Sequence, residues 1–161
     1  MTTANKITLV RIAMIPVFIW FAYVGGKTGD WVALGVFLLA SLTDFLDGYI
    51  ARKYHQVTDF GKFVDPLADK LLVCAALLLF IQRGQMESAM VFIILAREFI
   101  ITSLRIVAVG KGRVLAAAWS GKVKTCVQLA GVTLMFLTSI FGWGAVVEQA
   151  SAWTMTLVTL Y

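Results

Sequence analysis

Apolar residues occur along this chain in long blocks that are separated by short polar stretches. The blocks cover residues 7–24, 31–51, 66–82, 88–109, 116–141 and 143–160. A helix of about 20 residues crosses the roughly 30 Å apolar core of a bilayer. Strands with open edges cannot satisfy their backbone groups in lipid. The pattern predicts an all-α integral membrane protein with six transmembrane helices, in a single domain over residues 1–161.

The polar stretches predict where the helices begin and end. Residues Gly25 to Asp30 predict a turn after the first helix, and the second helix is expected to begin near Trp31. The third helix has two candidate starts. One is a cap at Thr58 or Asp59, and the other is a cap at Asp65 with a proline in the first turn.

The composition excludes an ordinary water-soluble surface. Of the 161 residues, 60% are hydrophobic and 14% are charged, whereas soluble domains carry about 25% charged residues. The net charge is +5. Beside a membrane, a basic surface attracts anionic lipids and phosphorylated substrates. The charge therefore does not indicate a nucleic-acid partner.

Basic residues are distributed unevenly between the two ends of the apolar blocks. Two follow the first and third helices, Lys27 and Arg83. Eleven lie at the opposite ends: Lys6, Arg11, Arg52, Lys53, Lys62, Lys70, Arg105, Lys111, Arg113, Lys122 and Lys124. Because basic residues mark the cytoplasmic side, we expect both termini and the two basic segments to face the cytoplasm. The expected location is the cell inner (plasma) membrane, crossed several times.

Four aspartates stand at helical spacing on either side of the second polar connection. Asp44 and Asp47 are three residues apart and Asp65 and Asp69 are four apart, so each pair shares one helix face. The short connection makes the two helices antiparallel neighbours, so the pairs can converge. One aspartate at mid-membrane depth costs about 3 kcal/mol, and clustered like charges repel. Bound hard cations such as Mg²⁺ or Mn²⁺ explain such a cluster.

Small residues and one arginine stand beside these acids. Gly48, Ala51 and Gly61 leave the backbone open to a close ligand. Arg52 offers a planar donor fork suited to phosphate oxygens. Bound metal ions, backbone left accessible by small residues and an arginine together predict a pyrophosphate-binding cavity on the cytoplasmic side. The alternative is a solvated surface on which the acids pair with Lys53, Lys62 and Lys70.

One string of residues resembles the signature of the CDP-alcohol phosphotransferase family: Asp44-x2-Asp47-Gly48-x2-Ala51-Arg52-x8-Gly61-x3-Asp65-x3-Asp69. All eight fixed positions match. The resemblance implies a six-helix, homodimeric enzyme that moves a phosphatidyl or similar group from a CDP-linked donor to an alcohol. It also implies two divalent cations held by the aspartates, with Asp69 near the acceptor hydroxyl.

Further stretches resemble the phosphatidylglycerophosphate synthases within that family. They are Asn5-x2-Thr8-Leu9-x-Arg11-Ile12, Phe60-Gly61-Lys62-Phe63-x-Asp65-Pro66-Leu67-Ala68-Asp69-Lys70, Arg97-Glu98 with Leu104-Arg105, and Gly121-Lys122-x-Lys124-Thr125. This likeness implies transfer of the phosphatidyl group from CDP-diacylglycerol to glycerol 3-phosphate, which gives phosphatidylglycerophosphate and CMP. The nearest alternative keeps this chemistry with inositol phosphate, phosphatidylglycerol or serine as the acceptor.

The resemblance gives each candidate residue a role. The metal ligands would be Asp44, Asp47, Asp65 and Asp69, and Asp69 would also act as the general base. The CDP donor would lie against Asp47, Gly48, Ala51, Arg52 and Gly61. The acceptor carries a phosphate of its own, so a second basic pocket is expected. Its candidates are Arg105, Arg113, Lys122 and Lys124.

Arg97 and Glu98 lie inside the fourth apolar block, at membrane depth. Ionised side chains at this depth cost free energy unless they are paired. We expect them to form ion pairs with residues across the helix bundle, and contact with substrate is the alternative.

Two other classes of protein also place acids within a membrane. A divalent-cation transporter would bind ions at the aspartates, but it has no use for Arg52, Gly48 or Gly61. A non-catalytic membrane scaffold leaves the buried charge without a purpose. The sequence therefore favours the enzyme.

Overall fold

The computed structural model describes the backbone of residues 3–53, 59–110 and 119–160. Side chains are described for these residues except 3–8, 44–53, 59–66, 69, 105, 106, 109, 110, 119, 120 and 122. Over the described ranges the chain forms six α-helices and no strand. The helices are α1 (Thr3–Val24), α2 (Gly26–Lys53), α3 (Asp59–Gln82), α4 (Ser88–Gly110), α5 (Trp119–Phe141) and α6 (Ala145–Leu160). The prediction of an all-helical chain with six helices is confirmed.

The start of α2 differs from the prediction. This helix begins at Gly26 rather than near Trp31, so the turn predicted over Gly25 to Asp30 is wrong for most of its length. Gly25 and Gly26 both have a φ angle of 71°, which glycine adopts without strain. The chain therefore reverses at these two glycines, and the polar residues that follow form the first turn of the helix.

The start of α3 is decided by the structure. This helix begins at Asp59 and continues through Pro66, so the later of the two predicted starts, at Asp65, is wrong. The candidate acidic residues of this segment consequently lie within a continuous helix. Their spacing along the chain therefore fixes their relative positions around the helix axis.

Residues Met1–Leu79 form one compact unit. In this unit α1 packs along α2, and the ring centroids of Phe18 and Phe37 lie 6.0 Å apart. A Cβ on Gly29 would stand 2.7 Å from the carbonyl oxygen of Phe21. The absence of a side chain at this position therefore allows the two helices to approach closely just after the turn.

Residues Phe80–Tyr161 form the second compact unit. Here α6 packs against both α4 and α5. The rings of Phe80 and Phe136 meet edge to face with their centroids 5.3 Å apart, and the Arg83 guanidinium carbon lies 5.7 Å from the centroid of Phe136. Aromatic packing with a cation over one ring holds the C-terminal end of α3 against α5.

Large apolar side chains remain exposed on all six helices. Examples are Trp20, Leu39, Leu78, Phe92, Val123 and Trp153. Exposed apolar surface of this kind marks contact with lipid or with another protein. Within the described residues, Val123–Phe141 is long and apolar enough to cross a membrane, and Leu9–Val24 and Lys70–Gln82 are shorter apolar helices.

Candidate active site

The positions of Asp44 and Asp47 continue the buried stripe of α2. Ala33, Phe37 and Ala40 are fully or almost fully buried in this helix. The same spacing of three or four residues carries the stripe on to Asp44 and Asp47. The exposed residues lie on the other side of the helix: Leu38, Leu39 and Leu42. The backbone register of α2 therefore aligns both positions with the buried stripe of this helix.

The register of α3 leads to the same result for the second pair. Ala68 and Leu72 are buried, and they share one stripe of this helix with Asp65 and Asp69. The exposed residues of α3 lie on the opposite side: Leu67, Leu71 and Leu78. The positions of all four aspartates thus continue the buried stripes of two helices in the same unit.

The small candidate residues share these stripes. Gly48 and Ala51 follow Asp44 at four and seven residues in α2, and Gly61 precedes Asp65 by four residues in α3. Side-chain placement at the acidic positions, at Ala51 and at Arg52 lies outside the described part of the structure. The backbone register of α2 and α3 places the small positions and the acidic positions on the same face of each helix.

Arg11 is a residue whose burial the sequence did not predict. It was counted among the cytoplasmic basic residues, but its side chain is one of the largest fully buried ones, with 1% of the residue exposed. It shares a stripe of α1 with the buried residues Phe18 and Ala22. A buried guanidinium in an apolar helix is costly without compensating charge or hydrogen bonds, so this arginine is part of the polar interior of the first unit.

Glu98 and Lys124 form a buried ion pair between α4 and α5. The Lys124 ammonium donates a hydrogen bond to Glu98 Oε1, and each residue is only 8% exposed. The Arg97 guanidinium also lies near this carboxylate, with its Nη1 3.9 Å from Oε1. The expected pairing of Glu98 across the bundle is confirmed. Its partner is a residue that the sequence assigned to the acceptor pocket.

The other candidates for the acceptor pocket are placed differently. Arg105 lies in α4 two turns beyond Glu98 and therefore on the same face. Lys122 lies in α5 two residues before Lys124, a spacing that puts the two positions on different sides of the helix. Arg113 lies outside the described residues. The structure thus brings Lys124 to Glu98, and within the described part of α5 it puts the position of Lys122 on a different side of the helix from Lys124.

Gln128 is a second polar residue that the sequence reasoning missed. It lies in α5 one turn beyond Lys124, it is 7% exposed, and its Nε2 has no hydrogen-bond partner among the described residues. A signal was present in the sequence, since Gln128 follows Lys124 by four residues and so shares its face. Because residues on every side of this block are apolar, the sequence does not show which face of the helix is buried.

A comparison of the sequence with known families gives a match over the whole chain. The sequence model of the CDP-alcohol phosphatidyltransferases matches residues 1–161. The chain belongs to this family. The resemblance inferred from the aspartate string is confirmed.

Curated relatives of this CDP-alcohol phosphatidyltransferase bear specific names. A Bacillus subtilis protein, 44% identical over 84% of this chain and 77% of its own length, is named CDP-diacylglycerol–glycerol-3-phosphate 3-phosphatidyltransferase. A Rickettsia bellii protein of the same name is 40% identical over 84% of this chain and 75% of its own length. A Mycobacterium tuberculosis protein, 38% identical over 97% of this chain and 77% of its own length, is named probable phosphatidylglycerophosphate synthase.

As a CDP-alcohol phosphatidyltransferase, the chain is a transferase, and its acidic positions suit the chemistry of that class. Carboxylate oxygens are the ligands that hard divalent cations prefer. The register of α2 and α3 aligns four such positions with the buried stripes of these helices. The donor set therefore fits divalent-cation binding, and the glycines on the same stripes would let a bulky diphosphate approach the backbone.

Proposed function

We propose that this protein transfers the phosphatidyl group of CDP-diacylglycerol to glycerol 3-phosphate, producing phosphatidylglycerophosphate and CMP in phospholipid biosynthesis. The observation that supports the proposal most strongly is the backbone register of α2 and α3, which aligns the positions of Asp44, Asp47, Asp65 and Asp69 with the buried stripes of these helices. The names of the relatives at 38–44% identity support the choice of donor and acceptor.

The four aspartates would hold two divalent cations, Mg²⁺ or Mn²⁺. Such ions neutralise a diphosphate and stabilise the charge that develops on the transferred phosphorus group. Asp44, Asp47 and Asp65 are the principal ligands in this proposal, and Asp69 is both ligand and base. Hard cations also explain how four acids remain ionised within an apolar unit.

The donor site would be formed by residues on the same two stripes. Asp47, Gly48, Ala51 and Gly61 would line the space taken by the CDP group, because small residues leave room for a ligand against the backbone. Arg52 would bind the donor phosphates through its planar guanidinium fork.

The reaction would be an in-line displacement at the lipid-side phosphorus of CDP-diacylglycerol. The attacking oxygen is a hydroxyl of glycerol 3-phosphate, and the bond that breaks joins this phosphorus to the bridging oxygen of the diphosphate. CMP leaves with the electron pair of that bond. Asp69 would accept the proton of the attacking hydroxyl, as a general base within hydrogen-bond reach.

The acceptor's own phosphate would be bound by basic residues, for which Arg105, Arg113, Lys122 and Lys124 are the candidates. Lys124 is the candidate with a described side chain, and its ion pair with Glu98 gives the ammonium a fixed position. An ammonium carries three donors and can therefore hold a carboxylate and a phosphate oxygen together.

The protein would act as a homodimer of six-span subunits in a cell inner membrane, as a single catalytic domain with both termini and the active site on the cytoplasmic side. The exposed apolar residues on every helix support a lipid environment. The excess of basic residues at one set of helix ends supports the orientation.

The test is CMP release by the purified protein in mixed detergent–lipid micelles. CDP-diacylglycerol is supplied with glycerol 3-phosphate, inositol phosphate, phosphatidylglycerol or serine in separate reactions. We expect rapid CMP release and phosphatidylglycerophosphate formation in the reaction that contains glycerol 3-phosphate. The reactions with the other three acceptors should release no CMP. Release with a different acceptor would reassign the substrate, and no release with any acceptor would overturn the proposed activity.

A further inference from the structure

Gln128 is a buried amide in the apolar interior of the second unit. It is 7% exposed, and Nε2 has no hydrogen-bond partner among the residues that the structure describes. A buried donor without an acceptor lowers stability. Such a donor is therefore retained where something outside the fold supplies the acceptor, and a bound ligand is the simplest source.

The surroundings of Gln128 indicate which kind of ligand this is. One helical turn earlier on the same face of α5 is Lys124, which is held by Glu98. A ligand that reaches both residues would meet a cation at one end and an amide donor about 6 Å further along the helix, since each residue adds about 1.5 Å. An anionic phosphate at one end of a short polyol meets both requirements.

We infer that Gln128 binds the hydroxyl of glycerol 3-phosphate that does not react, while Lys124 binds its phosphate. This inference rests on the proposed function and adds a residue that determines acceptor specificity. The hydroxyl on the carbon next to the phosphate-bearing carbon is close enough to the phosphate for two long side chains one helical turn apart to bind both groups. Glu98 acts as a positioning residue, because its bond to Lys124 fixes the ammonium beside Gln128.

The experiment compares two acceptors that differ by this one hydroxyl, glycerol 3-phosphate and 3-hydroxypropyl phosphate. A site built to hydrogen-bond a hydroxyl rejects an analogue that lacks it. The wild-type protein is expected to favour glycerol 3-phosphate by about tenfold or more in kcat/KM. The Gln128→Leu variant is expected to lose about tenfold with glycerol 3-phosphate and to change little with 3-hydroxypropyl phosphate.

Thermal unfolding of the same variants separates a binding role from a structural one. Removal of an unsatisfied buried amide is expected to leave the unfolding midpoint of Gln128→Leu equal to or above that of the wild type. Gln149→Leu makes the same chemical change at an exposed position of α6, and it should alter neither acceptor preference nor stability. If Gln128→Leu does not yield folded protein, Gln128→Met of similar volume replaces it.

Two results would overturn the inference. One is an unchanged preference between the two acceptors in the Gln128 variants. The other is an equal loss with both acceptors together with a lower unfolding midpoint, which would show a structural role. Failure of the proposed function is seen separately, because the wild-type protein would then release no CMP with glycerol 3-phosphate.

Discussion

Lys124 of α5 and Glu98 of α4 form an ion pair, and each of the two side chains is only 10% exposed to solvent. A pair of this kind contributes little net stability compared with apolar residues of the same shape. Loss of one partner, however, removes an opposite charge from beside a buried ion, which is strongly destabilising. The pair is therefore expected to respond very differently to single and double substitution.

Glu98→Gln should lower the free energy of unfolding by about 3–5 kcal/mol, because the buried Lys124 ammonium loses the carboxylate charge that it pairs with. The measurement is the thermal unfolding midpoint in detergent micelles. Adding Lys124→Met to this variant should restore much of the loss, although glycerol 3-phosphate binding would then be weakened. Glu87→Gln, at an exposed position, is the control. A double variant no more stable than Glu98→Gln would refute the explanation by loss of the paired charge.

Gly131→Ala should destabilise the contact between α5 and α6. A Cβ on Gly131 would stand 2.4 Å from both Cγ and Sδ of Met155, a side chain that is 1% exposed and must therefore shift. Overpacking of this kind costs about 1–3 kcal/mol. Gly35→Ala in α2 meets nothing within 4 Å, and its better helix propensity should stabilise by up to about 1 kcal/mol. Equal unfolding midpoints for the two variants would contradict the packing explanation.

Removal of divalent cations should stop the reaction. After exhaustive treatment with a chelator, CMP release from CDP-diacylglycerol and glycerol 3-phosphate should fall to background, because the diphosphate loses its counter-charge. Mg²⁺ or Mn²⁺ in excess over the chelator should restore the rate. Undiminished release from protein shown to be metal-free would exclude the metal-dependent mechanism.

Arg52→Lys tests the donor site. Lysine keeps the charge but loses the planar fork that binds two phosphate oxygens at once. The KM for CDP-diacylglycerol should rise by about tenfold, while the KM for glycerol 3-phosphate should change little. Steady-state kinetics with each substrate varied in turn measures this. A rise confined to the KM for glycerol 3-phosphate would move Arg52 to the acceptor side.

The number and approximate bounds of the helices could be predicted from the sequence because each apolar block is long enough to form one. The start of α2 could not be predicted correctly, because polar residues such as Lys27 and Asp30 are typical of turns. The two glycines before them, however, complete the reversal at Gly26. Local polarity was a weaker guide there than backbone conformation.

The candidate site could be predicted only as far as spacing determines it. The pairs Asp44–Asp47 and Asp65–Asp69 are recognisable because helical register follows directly from the sequence. The partners of Glu98 and the burial of Gln128 were not recognisable. Side chains that face lipid are as apolar as those in the core, so the blocks show no contrast between faces and the inward stripe of α5 is hidden.

The central claim is that the aspartates of α2 and α3 hold the metal ions on which transfer depends. Its most direct test is CMP release by Asp47→Asn across a magnesium titration, with Glu87→Gln as the exposed carboxylate control. Loss of one ligand should reduce turnover by at least about a thousandfold at every magnesium concentration, since bound metal supplies several kcal/mol of transition-state stabilisation. Near-wild-type turnover by Asp47→Asn would contradict the claim.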